Sequence, residues 1–111
     1  MTNDRPFRIA SLLRQEIATE LARHLDTSKF GLVTITAVDV NPKLTTANIF
    51  VHAQKKNGEL IKAIERSMHS WIKNLQKRLT LRNIPHLHFQ IDQGINYANH
   101  IDELLREIKE K

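Results

Sequence analysis

Apolar side chains recur every three or four positions over the first part of the chain, at Ile9, Leu12, Leu13, Ile17, Leu21 and Leu25. That period puts them on one face of a helix over residues 6–25, and Pro6 suits its first turn, where a missing N–H breaks no bond. Asp26, Thr27 and Ser28 interrupt the pattern, and Gly31 releases the chain into a new one. From residue 32 to 40 the period drops to two and β-branched residues dominate, which predicts a strand. The alternation of Val33, Ile35 and Ala37 slips to Val38 and Val40, so a bulge is expected near Ala37. Asn41, Pro42 and Lys43 supply a turn. Ala47, Ile49, Val51 and Ala53 then share one face of a second strand, completing an antiparallel hairpin.

After a polar loop over 54–58, in which Asn57 is placed to cap a helix, residues 60–79 carry two opposed faces. Lys62, Arg66, His69, Lys73 and Lys77 fall within a sector of roughly 80° at about 100° per residue. Leu60, Ile61, Ile64, Met68, Trp71, Ile72, Leu75 and Leu79 take the other side. Beyond Pro85, Leu87, Phe89 and Ile91 alternate as a third strand that Gly94 ends. Residues 98–108 form a last helix, with Ile101, Leu104, Leu105 and Ile108 turned inward. The order is α-β-β-α(-α)-β-α, an α+β arrangement of a three-stranded sheet with helices packed on one face. It is the order of type II KH-like RNA-binding domains.

The chain has 111 residues, the size of a single domain, 1–111, with a core over about 5–105. It contains no cysteine, which removes disulfide and thiolate chemistry and fits a reducing cytoplasm. The N-terminus lacks a signal-peptide pattern, and no apolar run approaches the roughly 20 residues of a membrane span, so a soluble cytoplasmic protein is expected. The net charge is +5, unevenly distributed. Residues 57–82 hold six basic and two acidic side chains, whereas residues 83–111 hold three and five. A basic middle beside an acidic end points to a local anion-binding surface.

The basic stripe on the long helix suits a polyanion better than a merely solvated face, because only Glu59 and Glu65 lie near enough to neutralise it. Arg78 and Arg82 extend the charge past the stripe. Contacts of this kind give affinity and salt sensitivity but little sequence information. An anionic lipid surface fits less well, since the apolar face is committed to the sheet. Trp71 sits at core spacing. Phe50 and Tyr97 are left for stacking, although Phe50 could equally cover the outer side of the hairpin. His86 and His88 share a strand face without a third ligand, and no metal motif accompanies them. Asp39, Asp92, Asp102 and Glu103 are the candidate carboxylates, but none sits in a catalytic pattern. With no phosphate-binding or dinucleotide loop either, neither catalysis, a cofactor nor a small-molecule substrate is expected.

Three segments together resemble the ribosome-binding factor A family. RIASLLRQEIATEL, residues 8–21, is similar to that family's first helix, with Arg8 and Glu16 in matching places. GLVTITAVDVNPKLTTANIFV, residues 31–51, resembles its hairpin, with Val33, Thr34, Leu44, Ala47 and Val51 in place. LRNIPHLHFQID, residues 81–92, matches at Arg82, Pro85, Leu87, Phe89 and Asp92 together, and HIDELL fits a short last helix. The resemblance runs in one collinear order over roughly residues 5–105.

It implies a KH-like factor, acting as a monomer and without a cofactor, that binds the 30S ribosomal subunit and supports late 16S rRNA processing. The family is also associated with growth in the cold. The family's Ala-x-Gly kink between two helices is replaced here by Ser67, Met68, His69 and Ser70. Either these residues make the kink or the helix runs straight. Without glycine, close backbone approach to RNA is disfavoured, which leaves side chains as the expected contacts: Lys62, Arg66, His69, Lys73, Lys77, Arg78 and Arg82. A second departure is Lys43, where the family often has Asp. Two other readings stay open: a general KH-like RNA chaperone or regulator, and a protein-interaction module built on the acidic residues 102–110.

Overall fold

Strict alternation makes the strand at Thr46–Ala53 the centre of the fold, because one of its faces is wholly apolar. Ala47, Ile49, Val51 and Ala53 are each inaccessible to solvent. The computed structural model describes residues 4–81 and 83–94. Its elements run α1 (Arg5–His24), α2 (Thr27–Phe30), β1 (Val33–Val40), β2 (Thr46–Ala53), α3 (Asn57–Leu79) and β3 (His86–Ile91). The strands lie in the order β1-β2-β3. β1 pairs antiparallel with β2, and β3 pairs parallel with it. A parallel pair needs a long crossover between its strands, and α3 supplies it.

α1 and α3 cover one face of the sheet. Leu13 and Ile17 of α1 meet Leu60, Ile64, Trp71 and Leu75 of α3 in a core with Ile49 and Val51, all of them fully buried. Each such aliphatic side chain contributes about 1.5–3 kcal/mol relative to exposure. Trp71 is core, as its spacing required, and its indole Nε1–H donates to Ser67 Oγ at 3.0 Å. Among the described residues no helix covers the other sheet face, which carries half-buried Asn48 and Phe50 beside exposed His86, His88 and Gln90. Phe50 therefore covers the outer side of the hairpin.

The bulge lies where the alternation slipped. The β1–β2 register shifts between Ile35 and Ala37, so Val38 faces Ile49 and Val40 faces Ala47. Arg14 of α1 binds the strand at this point, its Nη2 donating to Ile35 O at 2.9 Å and to Thr36 O at 3.3 Å.

Four features differ from the sequence reading or decide what it left open. First, residues 27–30 form a short helix, because the Asp26 carboxylate accepts from Ser28 N at 3.0 Å and caps it. Gly31 closes that helix at φ +69, where a Cβ would come within 2.4 Å of Gln54 Oε1. Second, α3 is one α-helix of 23 residues, without a break at Ser67, Met68, His69 or Ser70. The second helix in the expected order is thus absent from this stretch. Serine keeps helical dihedrals at moderate cost, and Ser67 Oγ returns a hydrogen bond to Ile64 O at 2.7 Å. Third, Asn57 does not cap α3. Its amide instead closes the end of β2, donating to Ala53 O at 2.8 Å and accepting from Ala53 N at 2.9 Å. Fourth, Lys56 takes the position before the helix in a left-handed conformation, φ 60. The helix expected over residues 98–108 lies outside the described residues, as does Tyr97.

Candidate nucleic-acid interface

The apolar face of α3 fixes which side chains it leaves in water. Leu60, Ile64, Trp71, Leu75 and Leu79 are buried, and Ile61, Met68 and Ile72 pack partly against the core. Lys62, Arg66, His69, Lys73 and Lys77 are consequently all exposed, as one row along the helix. Among the described residues, no carboxylate forms an ion pair with Lys62, Arg66, Lys73 or Lys77. Of the two nearby acids, Glu59 is paired with a lysine off the row, and Glu65 lies toward the sheet. Glu59 sits 3.1 Å from Lys29 Nζ, and that hydrogen bond, with the charge of Lys29 and more weakly of Arg66, holds its pKa below the ordinary carboxylate value. Glu65 borders a cleft beside β3 with Met68, His86 and His88.

At its C-terminal end the stripe runs into a groove of about 680 Å³ lined by Lys73, Gln76, Lys77, Thr80 and Leu81. Thr80 ends the helix in a left-handed conformation at φ 51, its N–H donating to Lys77 O at 3.3 Å. Cations in the last turn are favoured by the helix dipole, so Lys77 does not weaken α3. The arrangement is a row of solvated ammonium and guanidinium groups on a rigid rod. It can hold a phosphodiester backbone, and it places no acid–base pair near a reactive centre.

Arg78 stands apart from the row. Its Nη2 donates to Glu20 Oε1 of α1, and its Nη1 lies 3.3 Å from Glu16 Oε2. Glu20 is only 2% exposed and is also approached by His24 at 3.4 Å and Arg23 at 3.7 Å. The guanidinium expected on phosphate is thus occupied in joining α1 to α3. Sequence reading missed this pair, although a signal existed: Glu20 follows Ile17 by three positions and Arg78 follows Leu75 by three, so both fall at core spacing. Arg82 lies outside the described residues.

The remaining candidates are dispersed. His86 and His88 stack edge to face at 5.3 Å between ring centroids. Among the described residues no group of three or more metal-ligating side chains occurs. No helix among them is long and apolar enough to cross a membrane.

Comparison with known proteins bears on this geometry. Residues 5–105 match the family model described as ribosome-binding factor A. A ribosome-binding factor A from Thermomicrobium roseum is 33% identical, covering 100% of this chain and 88% of its own. Another from Pelobacter propionicus is 36% identical over 91% of this chain and 85% of its own. The fold is similar to that of the Thermus thermophilus ribosome-binding factor A fitted into a cryo-EM map of its 30S complex. The TM-score there is 0.67 at 21% identity, covering 77% of this chain and 92% of that one. With the match spanning all three described helices, all three strands and the whole cationic row, the chain belongs to the ribosome-binding factor A family, a family of binding factors rather than enzymes.

Proposed function

We propose that this protein binds the 30S ribosomal subunit and supports late maturation of its 16S rRNA, with the exposed row on α3 lying along rRNA phosphates. The observation that carries the reading is the row itself: Lys62, Arg66, Lys73 and Lys77 on one face of a continuous helix, none held in an ion pair with a described carboxylate. The Thermus relative's complex with 30S supports the choice of partner. His69 sits within the row and adds a hydrogen-bond donor.

A lysine row reads charge and spacing, so shape and position on the subunit must supply selectivity. Binding would then act on maturation by stabilising one arrangement of the rRNA over its alternatives, with no chemical step by the protein. The test is Lys73→Glu with Lys77→Glu. Both positions are exposed, so the fold should persist, while co-sedimentation with 30S subunits should be lost. Normal co-sedimentation of that variant would overturn the reading. Equal affinity of the wild type for free RNA and for 30S would replace it with a general RNA chaperone.

A further inference from the structure

A cleft of about 380 Å³ opens where three connections meet: the start of α1, the turn between β1 and β2, and the link from α3 to β3. Its walls are aliphatic, with Ile9, Leu44, Leu81 and Ile84 among them. Its cations come from two different elements, Arg5 of α1 and Lys43 of the turn, and none of the described acidic side chains lines it. The volume lies at the small end of ligand sites, which run from about 300 to 1,000 Å³.

Leu44 is held there by an unusual backbone. It has φ 60, a left-handed conformation that few residues with a side chain adopt. Asn41 imposes it: Asn41 O accepts from Leu44 N at 2.9 Å, and Asn41 Oδ1 accepts from Thr45 N at 2.8 Å and Thr46 N at 2.9 Å. Such conformations persist only where their surroundings over-determine them, and they concentrate at binding sites. Here the outcome is a leucine side chain set into the cleft wall.

The cleft is also continuous with the stripe. Leu81 lines both it and the groove bordered by Lys73 and Lys77. A strand following the row on α3 would therefore reach the cleft past the end of the helix. Basic groups, apolar walls and an exposed amide, Asn83, are the combination that accepts an unstacked nucleotide. The base finds apolar contact, the amide offers a donor and an acceptor to its edge, and the cations meet the flanking phosphates.

We propose that this cleft seats one unstacked nucleotide of the RNA strand that runs along α3, its base against Leu44, Leu81 and Ile84 and its phosphates on Arg5 and Lys43. The proposal rests on the rRNA-binding reading above and specifies a second contact for the same strand. It gives Lys43, exposed on the β1–β2 turn, a purpose in this chain.

The test uses the full chain and a fluorescent twelve-nucleotide single-stranded RNA, with one base at a time removed to leave an abasic site. Binding is read by anisotropy. Wild type should show one position at which loss of the base weakens binding by roughly tenfold, the usual scale for a seated base. In Arg5→Glu with Lys43→Glu that positional penalty should disappear, while residual binding through α3 persists. Both sites are exposed, and an acid in the first turn of α1 agrees with its dipole, so the variant should fold, which its thermal unfolding curve checks. Binding that is equal at every abasic position in wild type overturns the cleft alone. So does a penalty that survives unchanged in the variant. Failure of wild type to bind any of these RNAs, with 30S co-sedimentation also absent, overturns the stripe reading and the cleft with it.

Discussion

Arg78 of α3 donates to Glu20 of α1 across 58 positions of sequence, and the carboxylate that receives it is 2% exposed. Burying a carboxylate is costly unless cations and donors replace its lost water. Removing Arg78 leaves Glu20 with Arg23 and His24, at 3.7 and 3.4 Å, neither of which is as close as the guanidinium it loses. Arg78→Ala should therefore destabilise the fold by about 2–3 kcal/mol, less than for a pair with both partners buried. Lys73→Ala, on the exposed row, should change stability by no more than about 0.5 kcal/mol. Urea unfolding of the two variants checks the contrast. Equal midpoints would show that Arg78 is not a tie between the helices.

The two helices and the hairpin could be read from hydrophobic period because each buries a single face. Even the bulge was visible, since a slip in a period-two pattern has few other causes. What stayed hidden depended on partners remote in sequence. Glu20 looks like any helical glutamate until Arg78 is placed opposite it. Asn57 was expected to cap α3, but its amide is used by the backbone of Ala53, a competition that only the β2–α3 corner reveals. The cationic row was fully legible, because exposure on α3 follows from its apolar face alone. The cleft was not, because its walls come from α1, the β1–β2 turn and the α3–β3 link.

If Lys62, Arg66, Lys73 and Lys77 each neutralise a phosphate, binding must release counterions. For four contacts to single-stranded RNA, log K should fall against log salt with a slope near −3, on the order of 0.7 per phosphate. Titration with a short single-stranded RNA at several salt concentrations measures it. Each Lys→Ala on the row should lower the slope by about 0.7. A slope near zero would mean that apolar or protein contacts carry the affinity.

Acid should loosen the corner that holds α2. The Asp26 carboxyl is held below its ordinary value first by the hydroxyl of Ser28 and then by that residue's N–H. Glu59 is lowered chiefly by its hydrogen bond to Lys29 of the same short helix. A depressed carboxylate adds stability above its unfolded-state pKa and loses it as pH falls through the folded value. The advantage of wild type over Asp26→Asn should thus be present at neutral pH and vanish below the carboxylate range. Asparagine is an equally good cap, so the comparison isolates the charge. Unfolding midpoints measured from pH 7 down to pH 2 test it, and a difference that persists at the acid end would refute the assignment.

Arg14 ties α1 to an outer strand of the described sheet. β1 carries a bulge there, and the Arg14 guanidinium donates to the carbonyls of both Ile35 and Thr36. A charged donor to backbone oxygen is worth more than a neutral one, so Arg14→Ala should cost about 1.5–3 kcal/mol. Lysine at this position keeps the charge but has no planar fork to span two successive carbonyls, so Arg14→Lys should recover only part of the loss. Exposed strand edges also invite pairing between molecules. Arg14→Ala should therefore associate at concentrations where the wild type does not, as light scattering would report. Loss of stability without association would mean that the bulge by itself protects β1, with Arg14 acting only as a brace between α1 and the sheet.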